Sequence, residues 1–311
     1  MQGRIHEDAE LTAQLMDRVD DEPDHVGQLC VARTWSLTSL GRLEEALEPL
    51  GVLEERTESM EVSPLGFSIR VMGLAWRAQT LWLLGRAQEA ARDIDAALEL
   101  APLFDNPLTM AIAQGYGALV ARLLGDVRRT GALAEELGEL CGRYDLAYYA
   151  NWGRILNGWS LGGERGEAAI RDGIAGLDRQ HAGRARPFWL ALLAEVLIDQ
   201  DRGEEAAQVL AQARAWAEER GDRWWLAELW RLDAAGRRAE DAEPMLDRAL
   251  AVAGEQGAVA LELRAATDLA RRWHSTGRDA EEVLGPVLAR AAGCNRADVD
   301  AAEQLLARAR A

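Results

Sequence analysis

Apolar residues along this chain recur three and four positions apart, which gathers them on one face of a helix. The stretch from Val71 to Leu84 is such a segment. A turn carrying Gly85 follows, and glycine accepts the left-handed backbone that a helix C-terminus favours. A second helix then opens on acidic residues, which complement the positive end of its dipole. The predicted unit is a helix, a tight turn and a second helix.

That unit repeats. Leu40-Gly41-Arg42-Leu43-Glu44-Glu45-Ala46-Leu47 returns as Leu84-Gly85-Arg86-Ala87-Gln88-Glu89-Ala90-Ala91, and weaker copies follow down the chain. Aligned on one position, the copies fall at 46, 90, 130, 168, 206, 242 and 282, spaced by 36 to 44 residues. A fixed period of this size marks a stacked array of helix pairs. Ala46, Ala90, Ala168 and Ala206 sit early in the second helix, where a methyl group lets two antiparallel helices approach closely. Residues 1–22 read as a leading helix or an acidic extension, 23–296 as the array, and 297–311 as a helix capping its exposed end.

Composition agrees. The 311 residues are 49% hydrophobic and 28% charged, rich in Ala, Leu, Glu and Arg, a bias toward helix. The formal net charge of -17 opposes direct binding of nucleic acid or an anionic membrane, and leaves open a cationic partner or a ligand in a shielded groove. Cys30, Cys141 and Cys294 are distant and odd in number, so they read as core residues of a reducing, cytoplasmic setting. No secretory signal or membrane-length apolar run is expected.

The layout of Leu-Gly-Arg, Glu-Ala, Ala97-Leu98 and a closing Pro102 resembles the tetratricopeptide repeat, whose usual period is about 34. The resemblance implies an all-α, right-handed α-solenoid of about seven helix pairs with a C-terminal capping helix. From roughly residue 110 onward the series is similar to the C-terminal region of large bacterial signalling ATPases, including LuxR-type and nucleotide-cyclase-associated regulators. It runs through Arg186-Pro187-Phe188-Trp189, Gly221-Asp222-Arg223-Trp224-Trp225 and Leu261-Glu262-Leu263-Arg264. It departs from that family at Ala234 to Arg238, so the first helix of the sixth copy is expected to be short.

Those relatives carry a phosphate-binding loop in an upstream domain, and no G-x-x-x-x-G-K-[ST] string occurs here. Gly162-Gly163-Glu164-Arg165-Gly166 lacks a lysine and reads as a turn. His6, His25, His181 and His274 share no metal-ligand spacing, and no serine or cysteine has a sequence context that would activate it. Neighbouring carboxylates such as Glu44-Glu45 point about a hundred degrees apart on a helix and cannot face one substrate. No catalytic residue, metal or cofactor is predicted.

Eleven tryptophans against three phenylalanines is an unusual ratio. Trp152, Trp159 and Trp273 fall where the helices of a pair pack, and Trp76 and Trp189 lie one residue off those positions. In a tetratricopeptide-like array the first helix of each pair lines the concave groove. Extending that inward face along the chain selects the aromatics Trp35, Trp82, Phe188 and Trp224. It also selects the arginines Arg122, Arg231 and Arg271, and the polar residues Gln79, Asn157, Glu195 and His274. Aromatic area with a few polar groups suits a ligand groove, and the arginines could hold a carboxylate. Salt bridges between neighbouring repeats would explain the same arginines. The expected function is a non-catalytic module, binding a protein, a peptide or a small molecule, of a bacterial transcriptional or signalling regulator. The alternative is a stand-alone small-molecule-binding protein.

Overall fold

The computed structural model describes residues 5–16, 18, 23–56, 62–235, 237 and 239–309. A leading helix, α1 (Ile5–Met16), precedes seven helix pairs. The first four are α2 (Pro23–Leu40) with α3 (Leu43–Arg56), α4 (Ile69–Leu83) with α5 (Ala87–Leu100), α6 (Pro107–Leu123) with α7 (Val127–Tyr144), and α8 (Ala147–Leu161) with α9 (Gly163–Arg179). Then come α10 (Arg186–Asp199) with α11 (Gly203–Arg220), α12 (Leu226–Ala235) with α13 (Ala239–Gln256), and α14 (Val259–Ser275) with α15 (Glu281–Leu288). The last helix is α16 (Arg296–Ala309). Of the stretches read as leading extension and cap, residues 1–4, 17, 19–22 and 310–311 lie outside the described residues. No strand occurs among the described residues, and no helix there is long and apolar enough to cross a membrane.

The Leu-Gly-Arg motif has a clear physical cause. At its first three occurrences the glycine has φ near +80°, and the residue after it donates its N–H five residues back: Arg42 to Leu37, Arg86 to Leu81 and Asp126 to Ala121. This closes the carbonyls that a helix end leaves open. The arginine then pairs with a glutamate three residues on, in the next helix's first turn. Arg86 holds Glu89 through Nε at 2.7 Å and Nη2 at 2.6 Å, and Arg202 holds Glu205 in the same way. In the fifth copy Asp201 takes the left-handed position at φ 60°.

Ala46, Ala90, Ala206 and Ala242 are buried where the two helices of a pair meet. The fourth copy is a correction: Ala168 is exposed. There α8 and α9 touch at Gly158 and Gly166, and a Cβ built on Gly158 would lie 2.7 Å from the Gly166 carbonyl oxygen. The contact point has moved two residues toward the helix start, because α9 begins directly on Gly163 without an intervening Gly-Arg turn. Helix α12, with ten residues, is the shortest first helix, as the departure at 234–238 implies.

First helices pack on the first helices of neighbouring pairs, from α2·α4 through α12·α14, and so form an inner layer. An open solenoid would have contacts between neighbours alone. Here the turn of the superhelix closes on itself. The Ser39 carbonyl accepts from the N–H groups of Arg223 (2.7 Å) and Trp224 (3.2 Å), joining the first pair to the sixth. The Gly293 carbonyl accepts from Ala87 N–H at 2.8 Å. Asn295 clasps both sides: its Oδ1 accepts from Trp82 Nε1 at 3.1 Å, and its Nδ2 donates to the Leu123 carbonyl at 2.9 Å. One apolar cluster therefore runs from Val26 to Leu306, and the buried Cys30, Cys141 and Cys294 belong to it.

Candidate functional site

The inner helices and the turn before α12 bring their aromatic rings together inside the bore, where the rings stack into a ladder. Tyr116 meets Trp152 with centroids 5.2 Å apart, Trp152 meets Trp189 at 4.8 Å, and Trp189 meets Phe188 at 5.0 Å. Phe188 meets Trp224 and Trp225 at 5.2 and 5.1 Å, and Trp225 meets Trp82 at 6.0 Å. Tilted and edge-on pairs of this kind add about 0.5–1.5 kcal/mol each beyond the area they bury. The bore is thus filled by the protein's own side chains where an open groove was expected. What remains at its centre is a chamber of about 20 Å³ among Trp35, Trp76, Gln79, Tyr116, Trp152 and Trp224, room for one water molecule.

A layer of paired charges lies against the ladder. Arg122 is ion-paired with Glu195, lies 5.0 Å over the Trp159 ring and 5.5 Å from that of Trp225, and burial lowers its pKa. Glu195 also accepts from Trp159 Nε1 at 2.8 Å. Glu228, 1% exposed, takes two bonds of 2.9 Å from Arg231 and faces Arg264 at 3.4 Å. Burial pushes the Glu228 carboxyl up, but Arg231 and Arg264 outweigh it and hold it at about 2. Arg231 reaches on to Asp268 at 2.6 Å, and Arg264 to Asp298 at 3.2 Å.

The residues selected by the inward-face reading therefore separate. Trp35, Gln79 and Trp224 surround the chamber, while Trp82 and Phe188 are rungs of the ladder. Arg122, Glu195 and Arg231 form the charged layer: Arg122 and Glu195 join the third pair to the fifth, and Arg231 joins the sixth to the seventh. Arg271 stands at its solvent edge, 61% exposed and paired with Asp268. Asn157 lies within α8, where its backbone carbonyl accepts from Ser160 Oγ at 2.8 Å, and His274 is exposed at the end of α14. These last three are not brought together with the aromatics.

An opening with walls lies at one mouth of the bore. It holds about 350 Å³ and is lined by Ile5, Trp35, Asp178, His181, Gly183, Arg184, Trp216, Arg220 and Asp222. Trp35 and Arg184 belong to both the mouth and the chamber. The Arg184 guanidinium lies 4.3 Å over Trp35 and 5.5 Å over Trp76, and it hydrogen-bonds Tyr116. Arg220 and Arg186 flank Trp216 at 5.1 and 5.2 Å. The loop before α10 carries two non-glycine residues in the left-handed region, His181 (φ 54°) and Ala185 (φ 56°), which costs roughly 1–2 kcal/mol each. Gly183 is required by space: a Cβ there would stand 2.6 Å from Trp216 Cζ2.

The floor is Asp222, 3% exposed. Burial pushes its carboxyl up to about 7, against the Ala185 backbone bond, Arg184 and Trp224, which favour the charged form. Oδ1 has no hydrogen-bond partner. Asp222 stands directly before Arg223 and Trp224, the two residues bonded to Ser39, so the floor of the pocket is also the closure of the ring. Arg184, Trp216, Arg220 and Asp222 escape the inward-face reading because they sit in the loops before α10 and α12 and on a second helix. The available signal is positional: Gly183 and Gly221 each stand shortly before an aromatic pair, Phe188-Trp189 and Trp224-Trp225. Among the described residues no cluster of three or more His, Cys, Asp or Glu is placed to hold a metal ion.

No protein-family model matches the chain. An uncharacterized protein of Rhizobium meliloti (strain 1021) is 27% identical over 283 residues, covering 84% of this chain and 27% of its own length. The chain thus spans about a quarter of that relative. Among solved structures, the Rap conjugation gene regulator of the plasmid pLS20 in complex with the Phr* peptide superposes with a TM-score of 0.62 at 11% identity, covering 93% of this chain and 79% of that one. The Rap protein complexed with competence and sporulation factor gives 0.59 at 14% identity, covering 97% and 89%. The fold of the chain is that of the tetratricopeptide-like all-α solenoids.

Proposed function

We propose that the chain is a non-catalytic binding module of a longer bacterial signalling or transcriptional regulator, receiving its ligand or partner at the mouth of the bore. The observation that carries this reading is the mouth itself, a walled opening of about 350 Å³ with aromatic and guanidinium faces, leading into a bore otherwise filled. The strained loop at its rim supports that reading. The longer relative supports a part within a larger protein, and the peptide complexes of the two Rap structures support a peptide as one partner class. Peptides selected from a random display library against the full chain should lose binding to Trp216→Leu and Arg220→Ala. Equal binding to the wild-type chain and both variants would sink the reading.

A second reading, a small-molecule-binding protein in its own right, is favoured by size. The mouth lies at the lower end of the roughly 300–1,000 Å³ typical of small-molecule sites.

A further inference from the structure

Helix α1 is attached to the ring by a small contact of its own. It packs on α2 and buries Ile5, Ala9 and Thr12, one turn apart, while Glu7, Glu10, Leu11 and Leu15 face solvent. Ile5 and Ala9 close on Leu40, with Trp35 beside them, in a cluster separate from the one that runs through the ring. Thr12 turns its hydroxyl back on its own helix, bonding the Asp8 and Ala9 carbonyls at 2.8 and 3.1 Å. From α2, Arg33 Nη1 reaches the Ala9 carbonyl at 3.3 Å, a long bond. A helix of twelve residues is marginal in water by itself, so α1 stays helical only while it is docked. The contact sits over the closure of the ring. Leu40 directly follows Ser39, whose carbonyl accepts from Arg223 and Trp224. Gly221 lies against both helices: a Cβ there would stand 3.1 Å from His6 Cδ2 and 3.3 Å from Leu40 Cδ2. The start of α1, the end of α2 and the turn before α12 therefore meet at one point.

We propose that α1 is a detachable strap, which latches the first pair to the turn before α12 and lets go as a unit. Docked, it covers Leu40 and keeps water from the Ser39 bonds, which are stronger in dry surroundings. Released, it melts and uncovers Leu40 and Trp35. The seam is then left to Ser39 and to Gln256, whose Nε2 holds the Arg223 carbonyl at 2.8 Å. The ring thus has two states, latched and slack, and the small cluster sets the balance between them. Ile5 is also a wall of the mouth, so an occupant there would bear directly on the latch. That coupling rests on the mouth being the receptor site, whereas the strap itself does not.

The test is hydrogen exchange, followed by mass spectrometry, on the full chain without ligand. In the wild type the α1 amides should exchange faster than those of α2 and slower than those of an unfolded chain. Ile5→Ala trims the cluster, and Ala9→Asp puts a charge in it. Each should quicken α1 exchange roughly ten- to hundredfold. The Arg223 and Trp224 amides lie beneath the latch and should follow by at least about threefold, while Ala87 at the other seam stays unchanged. Leu11→Ser, on the exposed face, should move none of them, and all three variants should keep the wild-type melting profile. Protection of the α1 amides equal to that of α2, or none at all in the wild type, would overturn the proposal. So would release of α1 with no change at Arg223 and Trp224. If the strap fails while selected peptides still depend on Trp216 and Arg220, the receptor mouth stands. If the strap behaves as expected and the peptides are indifferent to those residues, the mouth reading falls and the strap stands.

Discussion

Replacing Asp222 by asparagine should stabilise the protein, and the gain should grow with pH. The carboxyl is pushed from its ordinary range near 4 up to about 7, because burial outweighs the help of the Ala185 amide, Arg184 and Trp224. A folded-state pKa above the unfolded one means that the folded chain holds the proton more tightly. The favourable contribution is complete below about pH 4 and is lost as pH rises through 7. Ionising a carboxyl held near 7 costs the folded state about 4 kcal/mol above pH 8, of which about 2 kcal/mol is already lost at pH 5.5. Asparagine keeps the shape and a carbonyl oxygen for the Trp224 or Ala185 bond but cannot ionise. The stability difference between the two proteins should therefore widen by about 2 kcal/mol from pH 5.5 to pH 8.5. Urea titrations at both pH values, read by tryptophan fluorescence and circular dichroism, measure it, and every other titrating group cancels in the comparison. A difference that stays constant or narrows would refute the claim that the protein holds this carboxyl protonated.

Three further outcomes follow from the packing. Glu228→Gln should lower stability by about 3–5 kcal/mol at neutral pH, since it removes the buried counter-charge of Arg231 and Arg264. Thermal melts should show this penalty shrinking as pH falls from about 4.5 toward 2, where the wild-type carboxyl is itself protonated. Gly166→Ala should cost about 1–3 kcal/mol, because the added methyl meets the Gly158 carbonyl oxygen, which is backbone and cannot turn aside. Ala168→Gly, on the exposed side of the same helix, should cost about 1 kcal/mol, and a larger loss there than at 166 would contradict the contact point. Asn295→Ala should leave Trp82 Nε1 unpaired and the Leu123 carbonyl with its 3.5 Å bond from Arg264 alone, and so cost about 1–3 kcal/mol. Hydrogen exchange should then quicken at Ala87, whose amide bonds Gly293 across the same closure, and unchanged exchange would count against it.

The helix pairs are legible because their causes are local. A left-handed glycine, the arginine after it and the glutamate three residues on lie within six positions, and each acts on its neighbours. Even there a local rule can slip, as at Ala168, where two glycines draw the helices together elsewhere. The filling of the bore is not local. Whether Trp82 faces a groove or a partner depends on how far each pair rotates against the next, and that sum determines whether Asn295 comes back to meet it. The inward-face reading takes in Arg271 and His274 on α14, but both stand in solvent near its end, where no spacing in the sequence marks how far the neighbouring helices reach. The mouth is missed for a simpler reason. Loops carry no periodicity, so nothing in the spacing of Arg184 and Asp222 announces that they meet.

The closure of the ring bears on how the chain is made. A solenoid whose contacts are all between neighbours can fold pair by pair as it leaves the ribosome. Here Asn295 follows Trp82 by 213 residues. At about 5–20 residues per second, the indole waits roughly 10–40 s for its partner, with the half-built ladder wet for most of that time. An all-helical chain would thus mature on the timetable of a protein with distant strand pairings. Its most apolar surface would be open to chaperones, and to other nascent chains, until the final helix is released.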